Sequence, residues 1–189
     1  MTVSINSWRG AKLIASVPHE TNLAAGTDDG SVTVEDVSGT IELRTDDGRI
    51  HGIGLRGAVT AETDDGSVQL EEVDGRVDVR TDDGSLTVSG RLHGVRLRTD
   101  DGRVRVGVAP ESVMAADWDI ETDDGRVTLV LPPGFSADLD ARTRDGLVRV
   151  DDAFGGGARA EGTLRYTIGA GGHTLRVRSG DGNIRVEEQ

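Results

Sequence analysis

The sequence predicts an all-β protein: a single-stranded parallel β-solenoid, or β-helix, with about 18 residues per coil that becomes irregular towards the C-terminus. Three observations predict it. The tetrapeptide Thr-Asp-Asp-Gly begins at positions 27, 45, 63, 81, 99 and 122; glycine recurs every nine residues from 30 to 102, except at His93; and aliphatic residues follow these positions at fixed offsets. Such regularity is typical of a fold in which each unit stacks on its neighbours.

Each nine-residue unit predicts one short strand with one buried face. An aliphatic residue stands two places after every repeat position: Val32, Ile41, Ile50, Val59, Val68, Val77, Leu86, Val95 and Val104. Two places further on stand Val34, Leu43, Gly52, Ala61, Leu70, Val79, Val88, Leu97 and Val106. Apolar residues at period two indicate a strand buried on one side, so two units make a coil whose strands face each other across a thin core.

We expect one β-solenoid domain over 1–189. Its parts are an N-terminal coil or cap at 1–26, regular coils at 27–106, and irregular coils with a C-terminal cap at 107–189.

The irregular part carries three local predictions. The spacing of the tetrapeptide widens after position 99, which predicts a longer side of one coil that holds Trp118. The glycine-rich stretch 151–162 predicts an exposed loop. The charged tail at 186–189 would blunt an open end of the stack, where strand edges are unpaired.

Composition excludes several classes of protein. The net charge of −13 disfavours nucleic acid and anionic membrane surfaces as partners. There is no cysteine, which excludes disulfides and thiolate sites. No stretch approaches the roughly 20 apolar residues of a membrane span, and the first residues lack the pattern of a signal peptide. We therefore expect no direct membrane insertion.

Three stretches carry a resemblance to a known family: "TDDGSVTVEDVSGTIELRTDDGRI", "LPPGFSADLDARTRDGLV" and "GGHTLRVRSGDGNIRV". Over nearly its whole length the chain resembles a bacterial family of domains of unknown function that bears an adhesin designation and forms single-chain β-solenoid repeats. The resemblance implies a location at the cell surface or envelope, with the cytoplasm as the alternative, and it carries over no catalytic residue. Family members typically have Ser or Gly where this chain has the first Asp of each pair.

The acidic pairs have two interpretations. In the first they are turns, in which Asp bonds nearby backbone amides and Gly supplies a positive φ. In the second they are a calcium ladder, because calcium takes six to eight oxygen ligands and stacked coils would align the first aspartates. Those candidate ligands are Asp28, Asp46, Asp64, Asp82, Asp100 and Asp123. The second aspartates would form a neighbouring file.

The threonines that precede the acidic pairs would also stack. They suggest either a ladder of side chains that support one another between coils or a flat array of hydroxyls that orders ice. The set comprises Thr27, Thr45, Thr63, Thr81 and Thr99.

The arginines of 91–105 do not predict one anion site. Arg96 and Arg98 alternate with buried positions of one strand, whereas Arg103 and Arg105 alternate with those of the strand on the opposite face. In register, Arg44, Glu62 and Arg80 alternate in sign, which predicts a solvated ion-pair ladder.

We expect no enzyme, because the acidic residues are equivalent from coil to coil and the histidines have no metal-ligand spacing. The predicted function is that of a non-catalytic structural or binding solenoid, an adhesin-like or envelope-associated scaffold of unknown ligand. The alternatives are a self-assembling scaffold rod and a calcium-stabilised repeat protein. No cofactor is expected apart from calcium, and the expected partner is an envelope component or a second copy of the chain.

Overall fold

The computed structural model describes residues 2–7 and 17–189, and the described chain is all-β. Most of its strand pairs are parallel. The strands are β1 Thr2–Ser7, β2 Asn22–Asp29, β3 Val32–Glu35, β4 Ser38–Asp47, β5 Ile50–Ile53, β6 Arg56–Asp65, β7 Val68–Asp83, β8 Leu86–Asp101, β9 Val104–Val108, β10 Trp118–Asp124, β11 Val127–Leu131, β12 Ala137–Val150, β13 Ala158–Ile168, β14 Thr174–Asp181 and β15 Ile184–Glu188. Part of the predicted N-terminal coil or cap at 1–26, namely residues 1 and 8–16, lies outside the described residues.

Two parallel ladders organise these strands. The first ladder runs β1, β2, β4, β6, then the C-terminal halves of β7 and β8, then β10, β14 and the N-terminal half of β12. The second ladder runs β3, β5, the N-terminal halves of β7 and β8, then β9, β11, β15 and the C-terminal half of β12. In the regular part, strand partners are 18 residues apart, as in the file Ile41, Val59, Val77 and Val95.

The two ladders are joined by strands that belong to both. Because β8 and β12 each contribute to both ladders, the pairings of β8, β10, β14, β12, β15, β11 and β9 close into a ring of seven strands, and the remaining strands pair outside it. A simple open stack of coils does not predict this closure.

The C-terminal strands are inserted into the stack. β14 lies between β10 and β12, and β15 lies between β11 and β12, so spatial order departs from chain order. The backbone amide of Gln189 donates to Leu131 O at 3.0 Å, and its side-chain amide donates to Val108 O at 2.7 Å. The prediction that the charged tail blunts an open end is therefore wrong: the tail fills an internal slot.

The end of the stack is covered by an antiparallel strand. β13 pairs along β12, with a bulge between Arg142 and Leu147 where β12 turns from one ladder to the other. The predicted loop at 151–162 is only partly correct. A short 3-10 helix (Asp152–Phe154) follows β12, and the strand begins again at Ala158.

The core confirms both predicted aliphatic files. Every residue of the two files is buried, and Ile41, Leu43, Ile50 and Leu70 are 0% exposed. Trp118 packs in the core against Phe135, with ring centroids 5.7 Å apart. The sequence analysis missed a third buried file at the corner opposite the acidic pairs, which consists of Val37, Leu55 and Val73; Leu92 in the next coil is also buried but is shifted in register and pairs with Gly75. No helix in 2–7 or 17–189 is long and apolar enough to cross a membrane.

Candidate functional site

The acidic pairs end the strands of the first ladder, at one edge of the stack. We call the six Thr-Asp-Asp-Gly segments the acidic corner; they occupy 27–30, 45–48, 63–66, 81–84, 99–102 and 122–125. Both aspartates of every pair are exposed, so neither points into the core. The acidic corner is therefore a ridge of carboxylates that faces solvent.

The threonines of the acidic corner hold successive coils together. The buried hydroxyl of Thr81 donates to two carbonyls of the preceding coil, Asp64 O and Gly66 O, each at 3.2 Å. Thr63 does the same one coil earlier, Thr99 one coil later and Thr45 two coils earlier. Since the hydroxyl of Thr81 is 0% exposed with the rest of its side chain, the ice-array interpretation is wrong. The prediction that the threonines connect successive coils is confirmed, but their hydroxyls bond backbone carbonyls and not one another.

The inserted coil, which consists of β14 and β15, has the same bonds from hydroxyl to carbonyl with the coils that are its neighbours in space. Ser179 Oγ donates to Gly125 O at 3.0 Å, and Thr143 Oγ1 donates to Gly182 O at 2.8 Å. The hydroxyl therefore bonds the coil that lies below it in space, whatever its position in the chain.

Glycine is required at the acidic corner for space rather than for conformation. A Cβ built at Gly66 would lie 1.8 Å from Gly48 O, and one built at Gly84 would lie 1.8 Å from Gly66 O. None of these three glycines has a positive φ. The prediction that glycine supplies a positive φ is thus wrong from the second acidic pair onward. Among the described residues, no backbone amide donates to a carboxylate of these pairs, so the aspartates do not act as turn caps either.

The second aspartates of the pairs stack directly. Asp83, Asp101 and Asp124 are partners on adjacent strands. Partial desolvation, together with the negative charge of Asp124 and Asp83, raises the pKa of Asp101 above its ordinary value. In the part of the chain that the structure describes, no group of three or more His, Cys, Asp or Glu is placed to hold a metal ion. The calcium ladder of first aspartates stays a prediction.

The outer face of the first ladder carries opposite charges on adjacent strands. Arg44 lies 3.4 Å from Glu62, as predicted, but Arg80 contacts Asp82 at 3.4 Å instead of continuing that ladder. A second file alternates in sign without interruption across the inserted strand: Asp78, Arg96, Asp119, Arg176, Asp140 and Arg165.

Ion pairs along this second file are close. The contacts Asp78–Arg96, Asp119–Arg176 and Asp140–Arg165 each measure 3.8 Å between nitrogen and oxygen. The pKa of Asp140 is lowered, first by a hydrogen bond from Arg142 and further by the charges of Arg142, Arg165 and Arg176. A shallow cavity of about 370 Å³ lies over this face. Arg96 and Arg98 in its lining pair with Asp78 and Glu121, whereas Asp119 Oδ1 is buried without a hydrogen-bond partner among the described residues.

The second ladder carries a group of arginines. Arg103 and Arg105 lie on this face, opposite Arg96 and Arg98, as predicted. The sequence analysis missed that more arginines join them, because the strands concerned are distant in the chain and become neighbours through the inserted coil. These are Arg126, Arg149, Arg159 and Arg185.

The comparison with protein families agrees with this architecture. Residues 1–187 match the family model described as Toastrack DUF4097. The chain therefore belongs to the Toastrack family, an uncharacterised family with a solenoid-like fold. Neither the curated proteins nor the solved structures include a significant match to it. The family description names no ligand or activity, so the adhesin designation is not confirmed.

Proposed function

We propose that this chain is a non-catalytic structural and binding protein, a single-stranded β-solenoid that acts as an adhesin-like, envelope-associated scaffold. The observation that carries the proposal is that the same contacts recur in successive coils. The acidic corner repeats one set of contacts, a buried hydroxyl on two carbonyls, in coil after coil. A repeat of this kind builds a rigid body with long exposed faces.

The strand register supports the solenoid interpretation. Partners 18 residues apart stack through the regular coils, and each coil contributes one strand to each ladder. The closed ring of seven strands arises because β8 and β12 each pair in both ladders. In the solenoid interpretation, these two strands connect the two faces.

The charged groups support a non-catalytic role. A catalytic site needs groups whose environments set them apart from their neighbours. Around the shallow cavity of the first ladder, Arg96 is offset by Asp78 and Arg98 by Glu121. The corner carboxylates recur at the same exposed positions from coil to coil. We therefore propose no catalytic residue and no organic cofactor.

Co-sedimentation with isolated bacterial envelopes tests the scaffold proposal. The purified chain should pellet with envelopes in a saturable manner. An unrelated acidic protein of similar size and charge serves as the control. Equal recovery of the two proteins in the pellet would contradict the proposal and favour the cytoplasmic alternative.

A second candidate function, self-assembly, is favoured by one specific feature of β13. Its far edge has no partner among the described residues, and unpaired edges invite another strand. If two copies of β13 pair antiparallel about a two-fold axis at Thr163, Glu161 of each copy lies opposite Arg165 of the other. The same axis places the small Gly162 opposite Leu164. The strand is thus complementary to itself.

Sedimentation velocity over a range of concentrations tests this second function. Glu161→Arg and Arg165→Glu should each abolish the dimer, and the double variant should restore it because the two charges are exchanged. Monomer at every concentration, or a double variant no better than the singles, would rule out this edge as the interface.

A further inference from the structure

Six arginines form one surface on the outer face of the second ladder, which we call the arginine face. Arg185, Arg149 and Arg159 are direct partners on three adjacent strands. Arg105 lies in the same file two strands away, with Thr128 between. One pleat nearer the acidic corner, Arg103 and Arg126 form a neighbouring file, and all six side chains are exposed.

These positive charges are not offset as those of the first ladder are. Among the described residues, Arg185 has a carboxylate partner, Glu187 at 3.3 Å. No ion pair within 4.0 Å joins an acidic group to the other five members of the face in the described ranges. Like charges directly opposite on adjacent strands are destabilising. In a chain of net charge −13, such a cluster indicates an anion that is bound from outside.

The C-terminal end of the arginine face is concave. Arg126, Arg149, Arg159 and Arg185 line a cavity of about 140 Å³ together with Asn183. Guanidinium groups bind phosphate and carboxylate through two parallel hydrogen bonds. A cavity with four of them and a side-chain amide therefore suits oxyanions.

The shape of the arginine face favours a narrow ligand. It crosses five strands, about 19 Å at a strand spacing of about 4.8 Å, but it is only two files wide, about 7 Å. The acidic corner runs along one side, where Asp101 and Asp124 stack, and Asp181 of β14 continues their file. A broad anionic surface or a duplex would meet this ridge and be repelled, whereas a thin chain would not.

The arginine face has no exposed aromatic side chain, among the described residues, on which a nucleic-acid base could stack. Trp118 and Phe135 are buried, and no aromatic residue lies among the exposed side chains of this face in the described part of the chain. Proteins that bind single-stranded nucleic acid without sequence preference use exposed aromatic side chains as platforms. The ligand indicated is therefore a polyanion without bases.

We propose that the arginine face binds an unbranched polymer of phosphate or carboxylate groups. The inference rests on the proposed binding function and names its surface and ligand class. Successive charged groups of the polymer lie along the file of Arg105, Arg185, Arg149 and Arg159. Binding neutralises the repulsion between those stacked side chains.

Fluorescence anisotropy with three labelled probes tests the proposal: long-chain inorganic polyphosphate, polyglutamate and single-stranded DNA. The test variant is the triple Arg149→Gln, Arg159→Gln, Arg185→Gln. The matched control removes three exposed arginines of the first ladder, Arg44→Gln, Arg76→Gln and Arg80→Gln, so that both variants lose equal charge.

The wild type should bind polyphosphate or polyglutamate at least about tenfold more tightly than the test variant does, and the control should stay within about twofold of wild type. In a plot of log affinity against log salt concentration, the test variant should lose about 2 from the slope, at about 0.7 for each phosphate contact. The better of the two probes identifies whether phosphate or carboxylate is the preferred group.

Three results would overturn the proposal: no binding of either polymer, equal weakening by both triple variants, or tightest binding of DNA. Melting temperature without polymer is a second readout, since the test variant should melt about 2–4 °C higher once the like charges are gone. A chain that binds envelopes but neither polymer would overturn this inference and leave the scaffold function standing.

Discussion

At the scale of single residues, the acidic corner depends on the absence of a side chain at its glycines. From the second acidic pair onward, each glycine lies against the carbonyl of the corner glycine in the preceding coil, and an added Cβ would have to displace backbone. Backbone cannot move in one coil alone, because the same contact recurs above and below it. The glycine file therefore sets how closely the coils approach at this edge.

Gly66→Ala should lower the free energy of unfolding by at least about 2 kcal/mol, since overpacking of this kind forces backbone shifts. Gly107→Ala is the matched control, because a Cβ there would meet only the Ser89 Cβ at 3.4 Å. Urea unfolding of both variants is the measurement. Equal stability of the two would show that the coils can separate at the corner without cost.

Thr81→Val should also destabilise the protein, by about 1–2 kcal/mol, because the carbonyls of Asp64 and Gly66 lose a buried donor. Thr81→Ser keeps the hydroxyl and removes only a methyl group, so it isolates the packing contribution. We expect the valine variant to be the less stable of the two in urea. The reverse order would mean that the methyl group, and not the hydroxyl, holds the coils together.

At the scale of elements, the charges on adjacent strands favour the observed position of the inserted strand β14. Arg176 lies between Asp119 and Asp140. If β10 and β12 paired in chain order, those two carboxylates would face each other across adjacent strands, which is unfavourable. The insertion replaces that repulsion with two attractive pairs.

Arg176→Glu should therefore cost about 1–2 kcal/mol, as two favourable cross-strand pairs become unfavourable ones. Arg105→Glu makes the same change in charge between Thr87 and Thr128, where no such partners exist, and should leave stability unchanged or improve it. Thermal unfolding of the two variants is compared. Similar losses would mean that apolar packing, not charge, specifies where β14 lies.

The sequence predicted the regular coils because their determinants are local. Val59 and Ala61 alternate with polar neighbours in one short strand, and the next coil repeats the pattern, so the period and the buried face can be inferred from nearby residues alone. The position of β14 could not be inferred in this way. It brings Arg176 between Asp119 and Asp140, which lie in distant segments, and the arginine face depends on the same insertion.

At the scale of the whole molecule, charge is segregated by surface. The first ladder pairs most of its arginines with carboxylates, the acidic corner concentrates carboxylates, and the arginine face concentrates positive charge beside that corner. We therefore expect salt to change the stability contributed by each of these surfaces to a different extent. We also expect the effect of pH on stability to differ between the acidic corner and the first ladder.

The acidic corner and the first ladder should respond to acid with opposite signs. The raised pKa of Asp101 means that its contribution to stability is present at acidic pH and is lost as pH rises through that pKa. The lowered pKa of Asp140 means that its contribution is present at neutral pH and is lost as pH falls through the lowered pKa, below the ordinary value of 3.8.

Asp101→Asn should consequently melt above wild type at neutral pH, and the difference should shrink as the pH approaches the ordinary carboxyl range. Asp140→Asn should melt below wild type at neutral pH and converge with it only in stronger acid. Circular dichroism melts across this range check both signs, and parallel curves for the two variants would contradict the assignment of repulsion to the corner.

The same melts in calcium and in magnesium at equal concentration separate screening from a specific site. We expect equal shifts, because the corner carboxylates are exposed and a divalent cation lowers their repulsion without ordered ligands. A shift specific to calcium, abolished when the first aspartates from Asp28 to Asp123 are changed to Asn, would instead establish the calcium ladder and make the acidic corner a metal site.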